Sequence, residues 1–222
     1  MVEVSTSVLN VEREKAVQTF YNLETAHTDY FHIDVMDGKF VPNNTYEQMK
    51  EYATTIKQIS NIPLDVHFMT YFVKDNIEQY IGLEPNIITF HLEAVQSKEE
   101  ALEVIKYIKD NNSKVGIAIK PNTKVEEIYE YLPYIHMVLI MTVEPGFGGQ
   151  GLIPETIEKV KVLKEYVEKN NIEIDIQVDG GVNLKTSNLV KEAGANILVS
   201  GSAIVKSDDY KKTIENLKKS IE

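Results

Sequence analysis

The chain has 222 residues, carries 23 Lys and Arg against 34 Asp and Glu for a formal charge of −11, and contains no cysteine. Without thiols there is no disulfide scaffold, thiolate zinc site, thiol redox couple or cysteine nucleophile, so any metal must bind through nitrogen and oxygen. The acidity argues against a nucleic-acid surface, which needs clustered cations to displace counterions, and no apolar run reaches the roughly 18 residues of a membrane helix; a soluble cytoplasmic protein with neither kind of partner is expected.

Met1-Val2-Glu3-Val4 starts a strand pattern and lacks the basic, apolar character of a signal segment. From there short apolar runs, most of them rich in Val and Ile, alternate with longer amphipathic ones to the end of the chain. Strands are predicted at 2–9, 30–36, 63–68, 86–92, 114–119, 137–143, 174–179 and 196–200. Helices are predicted between them at 12–26, 46–59, 74–82, 98–111, 124–131, 154–170, 184–193 and 208–220. In the sixth of these Ile157, Val160, Leu163 and Val167 form one apolar stripe, while Glu158, Lys161, Glu165 and Lys169 take the opposite face, as in a helix that covers a sheet.

Strict βα alternation demands a parallel sheet with right-handed crossovers, and eight units close into a barrel with its site at the C-terminal ends of the strands. No Pro/Gly/Ser linker divides the chain, so residues 1–222 are read as a single (β/α)8 TIM barrel. An open doubly wound sheet competes, but it would more often carry a Gly-rich turn after its first strand, and Ser7-Val8-Leu9-Asn10 has no glycine.

Side chains alternate along a strand, so His32, Asp34 and Met36 share one face of the second strand while Ile33 and Val35 share the other. Two ionisable groups facing a barrel interior need a strong partner, either each other as a buried hydrogen-bonded pair or a metal. The third strand repeats the pattern with Asp65, His67 and Met69, and the seventh ends on Asp179. Together His32, Asp34, His67 and Asp179 make a two-histidine, two-carboxylate set suited to one divalent ion: Zn²⁺, Fe²⁺, Mn²⁺ or Co²⁺. His91 and Glu93 share a face near the end of the fourth strand and are read as hydrogen-bonded support for that set, and Asp65 as a deeper buried hydrogen-bonding group. His27 and His136 are read as cap or boundary residues.

Glycines mark a second constellation. Glu144-Pro145-Gly146-Phe147-Gly148-Gly149-Gln150-Gly151 follows the sixth strand, Gly180-Gly181 the seventh and Gly201-Ser202-Ala203 the eighth, where barrels commonly bind phosphate. Their free N–H groups can converge on an anion. None of the three segments contains Lys or Arg, so a phosphate is expected to be held mainly by backbone donors.

At these residues the chain resembles the ribulose-phosphate 3-epimerase family over nearly its whole length. The likeness is carried by His32-Ile33-Asp34-Val35-Met36-Asp37-Gly38-Lys39-Phe40-Val41-Pro42-Asn43, by Asp65-Val66-His67-Phe68-Met69 and by the segment from Met141 to Gln150. Val178-Asp179-Gly180-Gly181-Val182 and Val199-Ser200-Gly201-Ser202-Ala203-Ile204 complete it. The resemblance implies a metal on His32, Asp34, His67 and Asp179, with Asp34 and Asp179 also acting as paired acid and base. It implies substrate contacts from Ser7, His67, the segment Gly146, Phe147, Gly148 and Gly149, and Gly180, Gly181, Gly201 and Ser202, with Met36, Met69 and Met141 lining the reacting centre.

The expected activity is metal-dependent interconversion of D-ribulose 5-phosphate and D-xylulose 5-phosphate through an enediolate, with a small sugar phosphate as partner and no organic cofactor, in a homo-oligomer. The chain departs from the family pattern at Thr6, at Gly151-Leu152, at Val205 and after Asn44. A six-carbon substrate such as allulose 6-phosphate, a metal-dependent hydrolase and a non-catalytic sugar-phosphate-binding barrel are the competing readings.

Overall fold

The computed structural model describes residues 2–219. Its β-branched segments are extended as β1 (Glu3–Ser7), β2 (Tyr30–Met36), β3 (Leu64–Met69), β4 (Ile87–His91), β5 (Lys114–Ile119), β6 (Met137–Met141), β7 (Asp175–Asp179) and β8 (Ile197–Ser200). Parallel neighbours cannot be joined by a tight turn, so each connection crosses over the outside of the sheet. The strands pair in chain order, and β1 pairs with β8 to close the barrel.

The longer coverings are α1 (Ala16–Thr25), α2 (Tyr46–Ile59), α3 (Val73–Ile81), α4 (Lys98–Asp110) and α5 (Thr156–Lys169). They are followed by α6 (Ser187–Glu192), α7 (Ser202–Val205) and α8 (Tyr210–Lys218). Besides shifts at element ends and short 3-10 turns at Arg13–Lys15 and Leu92–Ala94, three features differ from the sequence expectation. The segment predicted as a helix at 124–131 is a 3-10 helix over Val125–Tyr134 that contains Pro133. Its buried residues Val125, Ile128 and Tyr131 recur every third position, which matches the three residues per turn of a 3-10 helix. The four-residue helix α7 was not anticipated. The helix expected at 208–220 begins later, where the Asp209 side chain accepts the Lys212 N–H, and Ser220 lies outside the described residues.

Apolar side chains on the outer face of the sheet pack under the helices. Phe20 of α1 is fully buried and meets Phe31 and Tyr52 edge-on at ring separations of 5.9 and 5.3 Å. Phe20→Ala removes a large side chain from a packed layer and is expected to cost about 3–5 kcal/mol in urea unfolding; a loss below about 1 kcal/mol would contradict the packing described here.

Inside the barrel, Tyr30, Ile87, Met137 and Ile197 cluster from β2, β4, β6 and β8, the alternate-strand layering of such barrels. β1, β3 and β7 contribute polar groups instead: Asp65 Oδ2 accepts from Ser5 Oγ at 2.8 Å and from Gln177 Nε2 at 2.7 Å. The register then sets Asp34 beside His67 and Met36 beside Met69, and Met141 beside Asp179. No described helix is long and apolar enough to cross a membrane.

Candidate active site

Because β2, β3 and β7 run in parallel, their inward-facing C-terminal residues meet at one end of the barrel. One donor atom from each of His32, Asp34, His67 and Asp179 lies within 4.8 Å of the others. Asp34 Oδ1 stands 3.3 Å from His32 Nε2 and 3.4 Å from His67 Nδ1, and Asp179 Oδ2 stands 3.9 and 3.6 Å from the same nitrogens. These separations exceed the roughly 2.7–2.9 Å of a charge-assisted hydrogen bond. Both imidazole nitrogens are buried and have no hydrogen-bond partner among the described residues. Donors about 2.1 Å from a single tetrahedral ion stand roughly 3.4 Å apart, so the spacing and the orphaned nitrogens fit a cation at the centre.

The remaining atoms of the cluster are tied down. Ser7 Oγ donates to Asp34 Oδ2 at 2.7 Å. Asp65 Oδ2 lies 2.7 Å from His32 Nδ1, which directs Nε2 of that ring into the cluster. His67 Nε2 lies 3.0 Å from His91 Nε2, and His91 Nδ1 lies 3.1 Å from Glu93 Oε2. The supporting roles expected for Asp65 and for His91 with Glu93 thus have these contacts. His27 has a left-handed backbone after α1, and His136 Nδ1 accepts the Val115 N–H at the base of the barrel; both lie apart from the cluster.

Burial works against charge on His32, but the carboxylates of Asp65 and Asp34 outweigh it and raise its pKa well above the ordinary histidine value. Burial is likewise outweighed at His67 by the nearby carboxylates of Asp179 and Asp34, which raise its pKa. Asp34 would be pushed up by burial, yet His32 and His67 hold it below the usual carboxylate range. His91 behaves in the opposite way: burial pushes it down to about 4.

Above the cluster opens a cavity of about 370 Å³ lined by Ser7, Asp34, Asp179 and the sulfur-bearing wall of Met36, Met69 and Met141. Gly146, Phe147, Gly148, Gly149, Gly180, Gly181, Gly201 and Ser202 line it as well, so the sequence-derived candidates converge. His67 is the exception among the expected substrate contacts: it is fully buried and lies beneath the cavity wall.

The loops after β6 and β7 interlock because of two glycines. Gly180 and Gly181 adopt φ of 120° and 67°, and a Cβ on them would collide with Val143 and with the Leu152 backbone. Gln150 Nε2 donates to the carbonyls of Glu144 and Phe147 at 2.8 Å, which staples the β6 loop.

Asn10 and Lys206 are among the lining residues that were not anticipated as site residues. Asn10 sits against Gly148, where a Cβ would strike its side chain. Lys206 brings a cation to the glycine side of the cavity. Its amide bonds to the Ser202 carbonyl at 3.2 Å, one helical turn away. The three glycine segments themselves hold no Lys or Arg, and the turn of α7 folds a cation from outside them onto the rim. The signal in the sequence was the four-residue spacing from Ser202 to Lys206, legible only once that turn is known to be helical.

The fold and site define a (β/α)8-barrel protein whose mouth joins a nitrogen-and-oxygen donor cluster to glycine-rich loops. The family model described as "Ribulose-phosphate 3 epimerase family" matches residues 3–205. The ribulose-phosphate 3-epimerase of Methanocaldococcus jannaschii is 36% identical over 98% of this chain and 90% of its own length. That of Bacillus subtilis is 36% identical over 98% and 99%. Among solved structures, a 3-hexulose-6-phosphate synthase superposes with TM-score 0.69 at 16% identity, covering 98% of both chains, a likeness of fold alone. The chain belongs to the ribulose-phosphate 3-epimerase family and is an isomerase of that type.

Proposed function

We propose that this protein is a divalent-metal-dependent 3-epimerase interconverting D-ribulose 5-phosphate and D-xylulose 5-phosphate, with His32, Asp34, His67 and Asp179 holding one Zn²⁺, Fe²⁺, Mn²⁺ or Co²⁺ ion. The observation that carries this reading is the pairing of two orphaned imidazole nitrogens with two carboxylates beneath a cavity walled by glycine loops. Family membership and the names of the archaeal and bacterial relatives support the pentose phosphate as substrate.

Inversion at a carbon beside a ketone removes a proton from one face and returns one to the other, so two acid–base groups are needed. Asp34 and Asp179 approach from β2 and β7 and both line the cavity. Asp34, fixed by the Ser7 hydroxyl and open to the cavity, takes the C3 proton. Asp179 delivers a proton to the opposite face, and the roles exchange in the reverse direction. A bound divalent cation supplies positive charge for the developing enediolate oxygens. Met36, Met69 and Met141 offer no proton donor and keep water from the reacting carbon. Both proton transfers are completed by side chains, so no organic cofactor is needed.

The phosphate lies on the opposite side of the cavity, against backbone N–H groups of Gly146–Gly149, Gly180–Gly181 and Gly201–Ser202, with Lys206 supplying the cation.

The test is turnover of ribulose 5-phosphate and of allulose 6-phosphate by purified protein with each divalent metal added. Faster epimerisation of the pentose phosphate is expected; preference for allulose 6-phosphate would reassign the substrate, and no turnover of either would overturn the reading. In the same assay Lys206→Gln is expected to raise KM roughly three- to tenfold at low ionic strength with kcat nearly unchanged. An unchanged KM removes Lys206 from the phosphate site.

A further inference from the structure

One strand beyond His67, just past the end of β4, stands a carboxylate that the mechanism above leaves unused. Glu93 follows β4, and its Oε1 accepts the backbone N–H of Lys120 at 2.7 Å and the Thr123 hydroxyl, both beyond β5. Its Oε2 faces His91 Nδ1 at 3.1 Å. Among the described residues the only other hydrogen-bond contact of the His91 ring is Nε2 to His67 Nε2 at 3.0 Å. His67 turns its Nδ1, an orphan, toward Asp34 and Asp179.

We propose that Glu93 is a positioning residue that fixes the proton order of a His91–His67 relay, so that His67 presents its Nδ1 lone pair to the metal. This rests on the metal-centre reading above and extends it to residues outside the cavity.

The order follows from donor and acceptor inventory. A carboxylate already receiving two donors on one oxygen accepts on the other, so the proton between Glu93 and His91 sits on His91 Nδ1. A neutral imidazole has one donor and one acceptor, which makes His91 Nε2 an acceptor. His67 Nε2 must then donate, and the lone pair left on a neutral His67 is at Nδ1.

The rings have no room to invert this arrangement. His67 and His91 are both fully buried and stack at 5.0 Å with an interplanar angle of 26°. Phe40 covers His91 at 4.9 Å, and Lys120 Nζ lies 3.9 Å from the Phe40 ring centre. The two histidines thus reach the cluster through different nitrogens, His32 through Nε2 and His67 through Nδ1, and each is set by its own carboxylate. Asp65 acts on His32 directly, whereas Glu93 acts on His67 through His91.

Glu93→Gln tests the order with almost no change in shape. With its amide oxygen kept on the Lys120 and Thr123 donors, the NH₂ group faces His91 Nδ1. His91 must then carry its proton on Nε2, which sets it against the His67 Nε2–H and drives the His67 proton to Nδ1. Zn²⁺ affinity of the full, chelator-stripped chain is measured by competition with a chromophoric chelator, together with ¹⁵N histidine spectra that report which ring nitrogen is protonated.

The expected result is about 10- to 100-fold weaker Zn²⁺ binding and an exchanged protonation pattern at His91. Unchanged affinity, or weaker affinity with an unchanged His91 pattern, overturns the proposal. If the parent itself binds no Zn²⁺, the metal-centre reading fails and takes this inference with it; a parent that binds beside an unaffected variant sinks the relay alone. Should Glu93→Gln fail to fold, His91→Gln, whose side-chain oxygen can accept from His67, is expected to bind Zn²⁺ at least tenfold tighter than His91→Leu. Equal affinities of that pair overturn the proposal.

Discussion

Asp34→Asn and Asp179→Asn are each expected to lower kcat for ribulose 5-phosphate by about 10²- to 10⁴-fold, the range for loss of a positioned general acid or base. Asn retains an oxygen near the cluster but cannot shuttle a proton at neutral pH. Asp34 has the better-defined environment, because Ser7 holds one oxygen at 2.7 Å while the other faces both histidines. The two residues are proposed to serve opposite faces of the substrate, so the variants should fail differently. In D₂O, Asp179→Asn should still exchange the C3 proton of ribulose 5-phosphate slowly without inverting the centre, and Asp34→Asn should do the same with the xylulose epimer. Metal content has to be measured on the same samples, since losing the ion would imitate losing the acid. Normal epimerisation by either variant with metal retained would refute the two-carboxylate mechanism.

Removal of the divalent cation by chelation is expected to cut turnover by about 10³-fold or more, because charge stabilisation worth several kcal/mol is lost at the developing oxyanion. Activity should return on adding back Zn²⁺, Fe²⁺, Mn²⁺ or Co²⁺, and elemental analysis should find close to one ion per chain. His67→Ala removes one of the two orphaned nitrogens and should abolish tight uptake. If His67→Ala takes up metal as tightly as the parent, the ligand assignment is wrong. Full activity of the stripped protein would instead exclude the cation from the reaction. The chelated protein also separates fold from function: the Phe20, Phe31 and Tyr52 packing lies outside the barrel wall and is expected to survive removal of the ion.

The barrel was legible in the sequence because two local periodicities alternate without interruption. The run from Phe31 to Met36 could only be a strand with His32, Asp34 and Met36 on one face, since side-chain direction along a strand repeats every two residues. The same rule placed His67 on the next strand, and the alternation of strands with helices implied parallel neighbours whose C-terminal ends lie together. Short elements were less legible. The helix of four residues at Ser202–Val205 spans about one turn, too short for an apolar stripe to repeat, so Lys206 could not be placed on the rim from its position in the chain.

Valence and spacing were decided by tertiary structure. Sequence put four donors at three strand ends, but only barrel closure and register brought one atom of each within 4.8 Å. Sequence also could not say which nitrogen each histidine offers. In the reading proposed above that choice depends on Asp65 meeting His32 and on His91, held by Glu93, meeting His67, two contacts that cross between neighbouring strands. Local pattern determines which side chains face inward because it is set by the backbone of one strand. The distance between those side chains, and the proton each one carries, belongs to the closed sheet, where strand register and burial fix the partners and the orientation of each ring.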